Sequence, residues 1–296
     1  MMYSKITKPS VFITSTGRTG TQFLAKNISL MVKDAAAYHE PGSPWITRPK
    51  DFIREVRDFG FYNMTAGQFS PKHCMFKLSR KYIVGELDSE KAADYVLAMR
   101  KDFVDSLPKD IYVESSGHIY GILDIIDKVF ENAKFIHIVR DPKKWVTSAL
   151  NTFEYYLYGP FDEKLLKLSP TAMDFSDDNW AKQWKRMSKF EKYCWFYNKL
   201  NDHVINTMEG KNNFRVYRFE DIFDRKDTSA LEDMLKFATN FDLKTYDYVL
   251  KPDLLNRKIH SNSEGKFPAF KDWDKKMFDQ LKRHCGRWMN RFDYQL

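Results

Sequence analysis

Residues 11 to 25 read "VFITSTGRTGTQFLA". The apolar opening, Val11 to Ser15, has the composition of a buried strand. Downstream, Phe23, Leu24, Ile28, Met31 and Val32 recur at three- and four-residue intervals, which is the period of one helix face. Between them lies a tight turn in which Gly17 and Gly20 let the backbone come close to a ligand. The amide groups of Thr19, Gly20, Thr21 and Gln22 then point out of a helix N-terminus, where an anion is favoured. Arg18 adds a planar cationic fork, and Thr19 and Thr21 add hydroxyl donors. The turn departs from the phosphate loop GxxxxGK[ST]: after Gly17 the next glycine is Gly20, and no lysine follows it. An ordinary ATP or GTP loop is therefore disfavoured.

The rest of the chain alternates in the same way. Ala36 to Tyr38 reads as extended and stops at "HEPG". A helix is expected over Glu90 to Leu107, a strand over Ile111 to Glu114, a helix over Ile119 to Phe130 and a strand over Lys134 to Val139. A long helix is expected from about Trp180 to Met208, a strand within "NFRVYRF" and a last helix over Asp274 to Met289. Strands alternating with helices predict an α/β fold, a mainly parallel sheet flanked by helices on both faces, entered through a P-loop-like strand-turn-helix. Neither a repeat nor a Gly/Ser linker divides the sequence, so 1-296 reads as one domain. Segments 41-75 and 155-180 read as irregular, substrate-side insertions.

Composition sets the outer bounds. The 296 residues are 43% hydrophobic and 30% charged, which suits a chain that buries its own core. No apolar stretch reaches the roughly 20 residues of a membrane span, and the N-terminus lacks a signal-like apolar region, so a cytoplasmic location is expected. Three dispersed cysteines, Cys74, Cys194 and Cys285, give neither a disulfide framework nor a zinc pattern. The net charge of +8 favours an anionic partner. Basic runs such as "RDPKK" and "KDWDKK" are interrupted by acids, so nucleic acid is not the expected one. Oligomeric state is not legible.

A second turn, in "FIHIVRDPKKWVTSALN", delivers Arg140 at a strand's carboxyl end, followed by Asp141 as a helix cap, Pro142 at the first helical position and Ser148 two turns on. In an open α/β sheet, ligands sit beyond the carboxyl ends of the strands, so two basic turns there make two anion subsites. At this point "GRTGTQF" resembles the 5′-phosphosulfate loop, and "IVRDPKKWVTS" the 3′-phosphate motif, of sulfotransferases that use 3′-phosphoadenosine 5′-phosphosulfate (PAPS). "RVYRFEDIF" and "CGRWMNRFDY" extend the likeness over nearly the whole chain. The resemblance implies that Arg18, Thr19, Gly20, Thr21 and Gln22 hold the 5′-phosphosulfate, that Arg140 and Ser148 hold the 3′-phosphate, and that no metal is needed. In "NRKIHSNSEGKF", Arg257 and Lys258 are the candidates for a late loop closing over that phosphate.

Sulfuryl transfer also needs a base. Glu40 in "YHEP", at a strand end some twenty residues past the loop, is the first candidate. His118 and Glu114 in "YVESSGH" are alternatives, although Ser115 and Ser116 depart from the Lys-Thr that related enzymes carry after the glutamate. His39 stands ready to orient Glu40. Aromatics such as Phe59, Phe61, Tyr62 and Tyr158 are candidates to stack on an acceptor. The resemblance implies transfer from PAPS to a hydroxyl of a glycan or other small molecule, with adenosine 3′,5′-bisphosphate as product. Two other readings stay open: an ATP-dependent phosphotransferase, and a non-catalytic protein binding a glycan or polyanion.

Overall fold

In the computed structural model, which describes residues 5–44, 49–153, 157–158, 162, 166–225, 227–255 and 267–295, the opening run forms strand β1 (Ser10–Ser15), buried along its whole length. Four further strands follow: β2 (Ala35–His39), β3 (Ile111–Ser116), β4 (Ala133–Val139) and β5 (Phe214–Arg218). All pairings are parallel, in the order β2-β3-β1-β4-β5. β1, at the centre, is followed by helix α1 (Thr21–Met31), which leads towards β2. β4 is followed by α6 (Pro142–Phe153), which leads the other way towards β5. The crevice beyond the carboxyl ends of β1 and β4 is thus a topological switch point, where such sheets bind ligands. Register aligns Ser15 with Ile138, so the turn at 16–20 lies beside Val139 and Arg140.

Because both faces are covered, the strands contribute to two cores. Val11, Ile13, Val113, Ile136 and Ile138 pack with α1 and with α9 (Ser229–Thr239), whose buried stripe is Leu231, Met234, Leu235 and Ala238. Phe12, Tyr112, Phe135 and Val139 face the other way. There they meet α4 (Ser89–Ser106), α5 (Leu123–Val129), α6 and α7 (Lys189–Met208), with α10 (Lys275–Arg291) against α7. Cys74, Cys194 and Cys285 are all buried and free.

The elements differ from the sequence reading in places. Segment 41-75 is partly regular: α2 (Pro49–Phe59) and a short 3-10 turn, Ala66–Phe69, precede α3 (Met75–Ile83). The long helix begins at Lys189 rather than near Trp180, because Ser188 caps it by accepting the Glu191 N–H at 3.1 Å. A 3-10 turn at Trp184–Arg186 fills the preceding stretch. α5 begins at Leu123, later than the expected Ile119. Arg257 and Lys258 lie outside the described residues, and so do eight residues of 155-180, all between 155 and 165.

One core residue makes acid stability testable. His137 on β4 is fully buried, with Nε2 2.8 Å from Asn201 Oδ1, and burial pushes its pKa from 6.5 down to about 4. The folded state therefore binds fewer protons than the unfolded chain between these values, so stability falls as pH drops from about 6.5 towards 4. Chemical denaturation across that window should show the loss, and His137→Leu should flatten it.

Candidate active site

The turn after β1 is held open for a ligand by contacts behind it. Gly17, Arg18 and Gly20 all have positive φ (81°, 55° and 79°), and Arg18 is a non-glycine residue in that strained region. Gly17 N–H donates to Ser15 Oγ at 3.0 Å, and the Trp145 indole of α6 donates to Gly17 O at 2.8 Å. α1 starts at Thr21 with Gly20 as its N-cap, no side-chain cap and no acid in its first turn, so its positive end is left for an external anion. Thr19 Oγ1 is buried without a hydrogen-bond partner.

The turn after β4 meets this one directly. Arg140 donates from Nη1 to Arg18 O at 2.6 Å, and its guanidinium lies 4.4 Å from the Phe219 ring centre. Arg140 Nε is buried with no hydrogen-bond partner. Arg18 donates in turn from Nε to Ser148 Oγ at 3.1 Å, so the two expected subsites share a hydrogen bond. Asp141 caps α6, accepting the Lys143 N–H at 2.9 Å, whereas Lys144 turns outward to Asp224. The Asp141 N–H donates to Glu220 Oε1, and Glu220 Oε2 accepts from Tyr294, which fastens the β4 and β5 ends to the C-terminal segment.

Two half-buried cations this close repel one another, and an anion between them relieves that repulsion. Burial, and then the facing charge of Arg140, lowers the pKa of Arg18. Burial lowers that of Arg140, partly offset by Glu220, Asp224 and Asp141. Both guanidinium groups remain charged at neutral pH. Orphaned donors, an uncapped helix end and paired cations fit a ligand with two anionic groups.

Glu40 closes the third side, one residue past β2, also at positive φ (48°). Its Oε1 accepts the Gly117 N–H at 3.3 Å and lies 3.5 Å from His118 Nε2, and its Oε2 lies 3.7 Å from His39 Nε2. His39 Nδ1 is fixed 3.0 Å from Ser115 O. His118 stacks on Phe76, with ring centres 4.4 Å apart and planes at 8°, and its Nδ1 is 3.3 Å from Ser43 Oγ. Burial lowers the His118 pKa, with Glu40 opposing that shift, so the ring is neutral near pH 7. A Cβ at Gly117 would sit in ordinary van der Waals contact with Gly17 Cα at 3.4 Å and Glu40 Oε1 at 3.5 Å, which places the two turns side by side.

Comparison with known proteins places this geometry. A model described as "Sulfotransferase family" matches residues 9–209 of the 296. The chain belongs to the sulfotransferase family. Solved structures similar to it include the sulfotransferase domain from the curacin biosynthetic pathway, at 14% identity and a TM-score of 0.53, covering 99% of this chain and 100% of that one. Another is the sulfotransferase domain from the Synechococcus PCC 7002 olefin synthase, at 13% identity and a TM-score of 0.50, covering 100% and 98%. Sulfotransferase STF9 from Mycobacterium avium also matches, at 13% and 0.50, over 99% of this chain and 79% of that one. At such identities the likeness is one of fold. No curated protein sequence matches this chain.

In this sulfotransferase, Arg18, Thr19, Arg140, Ser148, Glu40 and His118 lie at neighbouring strand ends of one sheet. Glu114 does not join them. Arg100 grips its carboxylate with two hydrogen bonds of 2.8 and 3.0 Å and Tyr112 donates a third at 2.7 Å, all buried, so it has no access to an acceptor. Arg100 also donates to Pro41 O at 3.1 Å and so steadies the turn after Glu40. Trp145, Phe76 and Ser43 were given no role in the sequence reading: Trp145 and Ser43 lie close to Ser148 and Glu40 in the chain, but their contacts, with Gly17 O and His118, join segments remote in sequence, as does the stacking of Phe76 on His118. Tyr158 is buried against Trp184 and Tyr193, so its ring is not presented for stacking, whereas Phe59 packs on Phe103 and stays half-buried. Among the described residues no group of three or more His, Cys, Asp or Glu is arranged to hold a metal.

The steric demand at Gly20 gives a local test. A Cβ there would meet the Phe223 ring at 2.7 Å, on top of the cost of φ +79°. Gly20→Ala should lower stability by about 1–3 kcal/mol, read as a drop in Tm. Adding Phe223→Leu should recover the steric part only.

Proposed function

We propose that this sulfotransferase moves a sulfuryl group from PAPS to a hydroxyl of a glycan or other small molecule, releasing adenosine 3′,5′-bisphosphate. The observation that carries the reading is the pairing of Arg18 and Arg140 on the neighbouring ends of β1 and β4, linked through Arg18 O and Ser148. Two cationic subsites suit a nucleotide with a phosphate at each end of its ribose, and ATP carries nothing for the second. PAPS, when bound, supplies an activated sulfuryl group with a phosphate as its leaving group.

The chain's residues divide the remaining work. Arg140 and Ser148 hold the 3′-phosphate. Arg18, Thr19 and the amides at the start of α1 face the 5′ end and offset the negative charge that grows there as the sulfuryl group departs. Gln22 lies in the first turn of α1, beside these amides. Glu40 takes the proton of the acceptor hydroxyl, its carboxylate aimed by the Gly117 N–H. His118, neutral and pinned between Phe76 and Ser43, flanks that carboxylate and contacts the acceptor. Arg257 and Lys258 supply further cationic contacts to the 3′-phosphate.

The test is acceptor-dependent product formation. Purified protein with PAPS and a panel of monosaccharides, glycans and phenols should release adenosine 3′,5′-bisphosphate faster with at least one hydroxyl acceptor than without any. Release that no acceptor accelerates, with ATP turned over instead, would overturn the reading.

A further inference from the structure

Among the described residues nine large apolar side chains are exposed, and four of them fall within residues 53–69: Ile53 (68%), Phe61 (67%), Tyr62 (61%) and Phe69 (59%). Solitary exposed apolar groups are ordinary, but a cluster containing three aromatics marks a contact surface. The charges of this segment are sorted as well. Each exposed charged residue in 49–73 is basic: Lys50, Arg54, Arg57 and Lys72. The acids Asp51, Glu55 and Asp58 are half-buried or buried and paired with Arg54 or Arg57. Glu55 turns inward to accept the Gly42 N–H at 2.8 Å, leaving Ile53 with Lys50, Arg54 and Arg57 on the outer side of α2.

The same segment is fastened to the candidate active site. The Gln68 amide donates to Gly42 O at 3.1 Å and to Asn63 O at 2.6 Å, which ties the aromatic turn to the backbone two residues beyond Glu40. Whatever docks on this face is held next to the turn that carries the base.

We propose that the outer face of α2 and the following turn is an interfacial docking surface for an anionic lipid bilayer. Aromatic rings suit the headgroup region, while Lys50 and Lys72, with Arg54 and Arg57 whose charge is partly offset by their acid partners, draw the surface to anionic lipid. The chain's net charge of +8 acts in the same direction. Self-association through this face would set one basic rim against another, which like-charge repulsion opposes. Membrane docking stands apart from the transfer reading. Combined with it, docking would bring hydroxyls borne by lipid headgroups to Glu40.

The experiment is co-sedimentation of the full chain with vesicles of phosphatidylcholine alone and of phosphatidylcholine mixed with phosphatidylglycerol. The protein should bind the mixed vesicles in a salt-sensitive manner and the neutral ones weakly. Phe61→Ser with Phe69→Ser, and separately Lys50→Glu with Lys72→Glu, should each weaken binding by roughly tenfold or more. Both variants should keep the parent Tm and affinity for adenosine 3′,5′-bisphosphate, which separates lost docking from lost folding. Absence of binding to the mixed vesicles overturns the proposal, as does binding that both variants retain in full. A dimer in sedimentation velocity that the aromatic variant dissolves, without vesicle binding, assigns the face to a second copy and also overturns it. A failure of the transfer reading would appear in the nucleotide titration and leave the vesicle result standing.

Discussion

Glu40→Gln should lower kcat by about 10²–10⁴-fold, the usual contribution of a positioned base, while affinity for adenosine 3′,5′-bisphosphate stays within a fewfold of the parent. Glutamine keeps the shape of the side chain and an oxygen to accept from Gly117 N–H, but it cannot take up a proton at neutral pH. The substitution therefore separates proton transfer from placement. Glu40 has a positive φ, lies one residue past β2 and faces two imidazoles, an arrangement that costs backbone energy. If Glu40→Gln kept more than about a tenth of the parent rate, and His118→Gln cost far more, the base would be His118.

Arg140→Ala should weaken binding of adenosine 3′,5′-bisphosphate by about 10²–10³-fold, as expected when a half-buried charge-assisted contact loses one partner. The loss should be selective. AMP has no 3′-phosphate, so its affinity should change little. Arg140→Lys keeps the charge but gives up the fork that reaches Arg18 O, and its affinity should fall between the two. Equal losses for both nucleotides would mean that Arg140 acts by shaping the turn rather than by holding the second phosphate.

How far the sequence foretold this depends on whether a signal is local. β1, β4 and the turns after them were legible because strands buried on both faces read as apolar runs, with the apolar period of α1 following β1 and the Asp-Pro helix start following β4. Once the strands were read as parallel, their carboxyl ends singled out the turns that carry Arg18, Glu40 and Arg140, and the resemblance to sulfotransferases supplied the expected roles. α2 was missed because six of its eleven residues are charged and segment 41-75 was read whole as irregular, although Phe52, Val56 and Phe59 do recur at helical spacing. The stripe of α9 was present as Leu231, Met234, Leu235 and Ala238, yet its partner, the sheet face carrying Ile136 and Ile138, appears only with the strand order.

Glu114 illustrates the other limit. A carboxylate at a strand end looks the same in sequence whether it faces the ligand or the core. Only the tertiary fold brings Arg100, fourteen residues upstream, across to neutralise it. The stacking of Phe76 on His118 and the reach of Trp145 to Gly17 O depend likewise on helices packing over the sheet.

The central claim is a site with two anion subsites, and calorimetric titration tests it most directly. Adenosine 3′,5′-bisphosphate, ATP and AMP would each be titrated into the protein, with and without magnesium. Tight binding of the bisphosphate, independent of magnesium and well above that of ATP or AMP, is the expected result. A preference for ATP with magnesium would contradict it.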